Sequence, residues 1–158
     1  MINKVIQILR ENNLTLAVSE SLTGGMICSR LVDVPGVSDV FKEGFVTYSN
    51  KAKRHTLGVD KSTLKKYGAV SKKTAKEMAI GTAYVADSDV AISTTGIAGP
   101  DGGSDEKPVG LVYIGCYFKG KVVVEKHVFE GNRNAVREAT TEAAFELGYK
   151  VLKNKIKG

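Results

Sequence analysis

Helical and strand-like hydrophobic periods alternate along this chain, and that alternation limits its folds more than any other feature of the sequence. Ile2, Val5, Ile6 and Leu9 recur at i, i+3, i+4 and i+7, which predicts an amphipathic helix over residues 2–12, ended by Asn12-Asn13. Residues 14–18 are a short apolar run, read as a buried strand. Ser19-Glu20-Ser21-Leu22-Thr23-Gly24-Gly25 then makes a tight turn into a helix over 26–32, and Pro35-Gly36 breaks the chain. Residues 44–48 predict a second strand, followed by short helices over 50–57 and 62–66. Ser71 suits the N-cap of a helix reaching Ala86, with Ala75, Met78, Ala79 and Thr82 on one face. Residues 90–94 predict a third strand that empties into a glycine-rich loop, 96–103. Residues 109–118 and 122–129 form a hairpin across Lys119-Gly120-Lys121. Asn132 opens a long last helix with Ala135, Val136, Ala139, Ala143, Leu147 and Val151 facing inward. Strands alternating with helices, plus one hairpin, specify an α/β fold: three α/β/α layers around a mixed sheet, in a single domain over 1–158.

A chain of 158 residues buries about 70% of the surface its unfolded form exposes, so it needs no disulfide or metal staple. No apolar run approaches the roughly 20 residues of a membrane helix. The first residues start directly into a helical pattern with no signal-peptide block, so a cytoplasmic protein is expected. Cys28 and Cys116 have no CxxC spacing and read as buried small hydrophobes. His55 and His127 belong to no metal-ligand pattern, so neither metal nor cofactor is expected. The net charge of +6 favours an anionic partner. Its lysines cluster at 150–157 and at 51–66, where they read as solvated charges. With no Trp to stack bases, nucleic acid is the least favoured partner and a small phosphate the more natural one.

Two loops that follow strands combine glycine with hydroxyls: residues 19–25 and Thr94-Thr95-Gly96-Ile97-Ala98-Gly99-Pro100. Open α/β sheets gather ligands beyond the carboxyl ends of their strands, where such loops bring backbone amides to an anion. Neither loop is a Walker A or GxGxxG motif, and no GxSxG elbow exists. The SxxK matches at Ser62–Lys65 and Ser104–Lys107 are expected by chance among so many lysines. In Thr47-Tyr48-Ser49-Asn50-Lys51-Ala52-Lys53, a tyrosine at a strand end and a lysine on the next helical turn can converge on one point. A lysine whose pKa is lowered there would activate a serine hydroxyl. Ser21 and Ser38 both qualify by position.

The 19–25 turn, Gly36-Val37-Ser38-Asp39-Val40-Phe41, residues 47–53, Thr95-Gly96-Ile97-Ala98-Gly99-Pro100-Asp101-Gly102-Gly103, Lys107-Pro108-Val109-Gly110 and Gly131-Asn132-Arg133-Asn134-Ala135-Val136-Arg137 together resemble the C-terminal domain of the competence-damage-inducible CinA family. The resemblance runs in order over nearly the whole chain, and the chain looks like the stand-alone form of that domain. It implies an anticodon-binding-domain-like three-layer fold. It also implies an amidase that converts nicotinamide mononucleotide to nicotinate mononucleotide and ammonia without a cofactor. The family's serine–lysine machinery falls on Ser38 and Lys53, with Tyr48 beside them. Its substrate pocket falls on Ser19, Ser21, Thr23, Gly24, Thr95 and Gly96, with Arg133 or Arg137 for the phosphate. A homo-oligomer, a dimer in the first instance, is the implied assembly. A catalytically silent nucleotide-binding module is the alternative.

Overall fold

A computed structural model describes residues 1–157. In chain order the elements are α1 (Ile2–Glu11), β1 (Leu16–Glu20), α2 (Met26–Val32), a 3-10 turn (Val37–Asp39), β2 (Phe41–Val46), α3 (Asn50–Leu57), α4 (Lys61–Tyr67), α5 (Lys72–Ala86), β3 (Val90–Gly96), β4 (Leu111–Phe118), β5 (Lys121–Val128) and α6 (Arg133–Ile156). The five strands form one sheet in the order β2-β1-β3-β4-β5. β1 runs parallel to β2 and β3, whereas β4 is antiparallel to both β3 and β5.

Helices cover both faces, giving the expected three layers around a mixed sheet. On one face α1, α2 and α6 lay Ile6, Leu9, Leu31, Phe145 and Leu147 over Val18, Ile92 and Ile114. Each such fully buried side chain contributes about 1.5–3 kcal/mol. The other face is thinner. There α3, α4 and α5 close over Phe45 with a small cluster of Leu57, Val59, Leu64 and Met78. A Cβ on Gly81 would lie 1.9 Å from the Leu57 carbonyl oxygen, so glycine is what lets α5 approach α3 this closely.

Helix periodicity located the helices well, and Ser71 caps α5 as expected, its Oγ accepting from Thr74 N–H at 3.1 Å. The short strands differ. β1 starts at Leu16 because Thr15 is held outside it, donating its N–H and hydroxyl to the Asp89 carboxylate at 2.8 and 3.0 Å. It then continues through Ser19 and Glu20, both fully buried. β2 begins at Phe41, paired with Leu16, rather than at Gly44.

This topology places a site. β1 is flanked by β2 on one side and β3 on the other, so the chain leaves it in one direction and returns on the opposite side. At such a switch point the loops beyond the carboxyl ends diverge and leave a crevice. The turn after β1, the segment after β2 and the end of β3 all open there.

Candidate active site

The crevice is a pocket of about 220 Å³ lined by Ser21, Tyr48, Lys53, Thr95, Gly96 and Arg133, among others. Ser21 is the first residue beyond β1. Ser49 caps α3 by accepting from Ala52 N–H at 3.0 Å, which starts the helix where its first turn aims Lys53 inward. Lys53 is only 1% exposed. Its Nζ donates to Ser21 Oγ at 2.9 Å, to the Thr47 carbonyl at 2.7 Å and to the Tyr48 carbonyl at 3.4 Å. Among the described residues no carboxylate lies within ion-pair distance of it. Burial without a compensating anion lowers its pKa from the ordinary 10.5 to about 8.

The turn that carries Ser21 is held from three sides. Gly24 and Gly25 have φ of 58° and 101°, left-handed values that a side chain would strain. Glu20, at the end of β1, spans the turn and accepts the N–H groups of Ile27 and Cys28, both at 3.0 Å. It therefore caps α2, whose own N-cap is Gly25 and supplies no side chain. From α6, Arg137 donates Nε to the Leu22 carbonyl at 2.8 Å and a guanidinium N–H to the Thr23 carbonyl at 3.2 Å. The Thr23 hydroxyl pairs with that of Thr94 at 2.9 Å. At the pocket mouth Arg133 donates to the Gly99 carbonyl at 2.7 Å and to the Tyr48 hydroxyl at 3.3 Å.

The family model for the CinA C-terminal domain matches residues 1–152. The chain belongs to the CinA family. A Clostridium beijerinckii relative, provisionally named competence-damage inducible protein, is 55% identical over 148 residues, 94% of this chain and 36% of that protein. This domain thus spans about a third of the length of the curated relatives it matches. Among solved structures it is similar to the competence/damage inducible protein of Agrobacterium tumefaciens, with 40% identity, a TM-score of 0.92, and 96% and 93% of the two chains covered. A CinA superfamily protein of Klebsiella pneumoniae has a TM-score of 0.93 at 31% identity, with 97% and 96% covered.

Within this CinA domain, Lys53, Tyr48, Ser21, Thr95, Gly96 and Arg133 line one pocket. Ser38 does not join them. It lies on the 3-10 turn before β2, exposed, its carbonyl accepting from Lys42 Nζ at 3.0 Å. Lys53 follows the other end of β2, so a strand of six residues, about 20 Å of chain, separates the two. The serine beside the lysine is Ser21. Ser19 and Thr23 are fully buried below the pocket floor rather than lining it. Arg137 holds two carbonyls of the turn and does not line the pocket, and Arg133 is the arginine that does. Gly24 shapes the turn. Sequence reasoning missed the clamp made by Glu20, although a lone carboxylate ending an apolar strand was the available signal. It also missed the wall formed by Ala69 and Val70, against which Thr95 Oγ1 donates to the Ala69 carbonyl at 2.8 Å. Nothing in the local sequence marks that wall. Among the described residues no three His, Cys, Asp or Glu side chains converge as a metal site. Nor is any helix long and apolar enough to cross a membrane.

Proposed function

We propose that this domain is an amidase acting on the carboxamide of nicotinamide mononucleotide, with Ser21 as nucleophile and Lys53 as its base. The observation that carries the reading is the 2.9 Å contact between Ser21 Oγ and a buried, ion-unpaired Lys53 Nζ. The substrate class comes from the resemblance to CinA C-terminal domains.

Neutral Lys53 has two N–H groups and one lone pair. With the N–H groups on the Thr47 and Tyr48 carbonyls, the lone pair is left to face Ser21 Oγ. A pKa of about 8 leaves about a tenth of the lysines neutral at pH 7, enough for general-base work. Ser21 Oγ attacks the carboxamide carbon as its proton passes to Lys53 Nζ. The N–H of Leu22, a residue of the pocket lining, has no backbone acceptor among the described residues and serves the developing oxyanion. Lys53 then protonates the leaving nitrogen, and ammonia departs from a seryl ester. Water attacks the ester, gives its proton to Lys53, and Ser21 recovers it as nicotinate mononucleotide leaves. Arg133 supplies positive charge at the pocket mouth for the 5′-phosphate.

The test is ammonia release by the purified protein. Ser21→Ala should lose at least about 10³-fold in kcat while still binding substrate, because the lost group acts only in the reaction. Ser38→Ala should match wild type. The nucleoside lacking phosphate should be a much poorer substrate. Full turnover by Ser21→Ala, or loss in Ser38→Ala, overturns the assignment. Absence of ammonia from wild type favours a binding module instead.

A further inference from the structure

A second concavity, larger than the reaction pocket, lies beside it. It is a groove of about 760 Å³ between the end of α4, the first turns of α5 and β4, within the size range of small-molecule sites. Val70, Ile80 and Tyr113 give it apolar surface, while Lys72, Lys73, Lys76 and Lys107 also line it. Two of these amines are held in place. Lys73 Nζ lies 5.3 Å from the centroid of the Tyr67 ring, and Lys107 Nζ donates to the Tyr67 carbonyl.

The charge there is unbalanced in two independent ways. No carboxylate lies within ion-pair distance of any of these lysines among the described residues. The acid on the groove wall, Glu77, is committed elsewhere: its oxygens accept from Asp60 N–H at 2.9 Å and Thr63 Oγ1 at 2.6 Å. Lys72 and Lys73 also occupy the first turn of α5, a 15-residue helix with no acidic residue in that turn. The helix macrodipole makes this end positive, so cations there destabilise the helix and acids would stabilise it. A sequence that breaks a local rule in this way marks a place where something other than the fold sets the residues. A second copy of the chain docked about a two-fold axis would set these lysines against their own images, so charge disfavours that occupant.

We propose that this groove binds a nucleoside triphosphate, its base against Tyr113 and Ile80 and its phosphates among Lys72, Lys73, Lys76 and Lys107. The site is separate from the reaction pocket and adjoins it, because Val70 lines both cavities. Occupancy of the groove therefore bears on the wall that Thr95 holds from the other side.

The experiment is calorimetric titration of the intact chain with metal-free ATP, beside adenosine and tripolyphosphate. One saturable ATP site is expected, with each fragment binding at least ten-fold more weakly than ATP. Lys73→Ala/Lys76→Ala should weaken ATP at least ten-fold. Lys72→Ala, which leaves the Tyr67 contact untouched, should weaken it in the same direction. Circular dichroism identifies any variant that fails to fold, and Lys72→Ala then decides. The chain has no Trp, so tyrosine emission follows the same event. Saturating nicotinamide mononucleotide should not displace ATP. Turnover plays no part in the readout, so failure here and failure of the amidase reading are distinguishable. The proposal is overturned by an absence of saturation at millimolar ATP or by binding indifferent to these lysines. Displacement by the mononucleotide, or tighter binding of a single-stranded oligonucleotide on the same lysines, overturns it equally.

Discussion

Lys53 shows how far one residue's setting governs its chemistry. On the surface of α3 it would be another solvated cation beside Lys51 and Arg54. Buried at the switch point with only neutral acceptors, it becomes a base that is partly neutral near physiological pH. The same burial affects stability, with a definite sign. The folded-state pKa lies below the unfolded one, so between pH 8 and 10.5 the unfolded chain binds more protons, and stability rises with pH through that window. Relative to Lys53→Met, wild type should therefore gain up to about 3 kcal/mol of stability between pH 7 and 10.5. Urea unfolding of both proteins across that range measures the difference. A difference that is flat or falls with pH would remove the basis for a neutral lysine. In turnover, kcat should rise through a limb near pH 8.

Among the elements, the turn from β1 to α2 is where structure and chemistry are most closely joined. A helix of seven residues is too short to persist alone. Glu20 supplies acceptors for its first-turn N–H groups, and Arg137 ties the turn to α6. A glutamine at position 20 keeps one acceptor and turns a donor toward the other N–H. Glu20→Gln should cost about 2–3 kcal/mol, lowering Tm by about 4–12 °C. If Glu20 positions Ser21, kcat should fall further than KM rises, and Glu20→Asp should recover less activity than stability because its shorter arm tilts the turn. Unchanged Tm and kcat in Glu20→Gln would show that the turn holds without it. The cost of leaving α5 to begin with Lys72 and Lys73 belongs to the same scale: a helix start tuned for stability alone would carry acids there.

Over the whole molecule, the sheet ends on one side in β5, whose outer edge is unpaired among the described residues and whose Val123 and Val128 side chains are exposed. An open edge of this length invites pairing or coverage. The self-association implied by the family resemblance fits that edge. Light scattering at micromolar concentration should give twice the 16.9 kDa of one chain, and a mass of one chain would reject it. The thin face of the sheet has a different use. Its layer of Ser19, Ser93, Thr95 and Lys53 forgoes apolar burial, and the deep core beneath α1, α2 and α6 carries stability in its place.

Local sequence determined what depends on neighbours a few residues apart. The helical period of α1, the Ser71 and Asn132 caps and the glycine-bearing turns follow from backbone geometry and side-chain reach, and each is legible in a short window. The α/β class follows too, because alternating periods leave few ways to bury every apolar face. Which hydroxyl meets Lys53 was not legible. Ser38 is 15 residues from Lys53 along the chain and Ser21 is 32, yet strand register and the direction of β2 put the more distant serine beside the amine and the nearer one at the far end of the sheet. The same holds for Arg133 and Arg137, one turn apart on α6: the turn after β1 captures one and leaves the other at the pocket. The wall of Ala69 and Val70 has no sequence signature, since its role lies in position rather than chemistry. Pairings between distant segments are set by the whole core closing at once, and no local window contains that information.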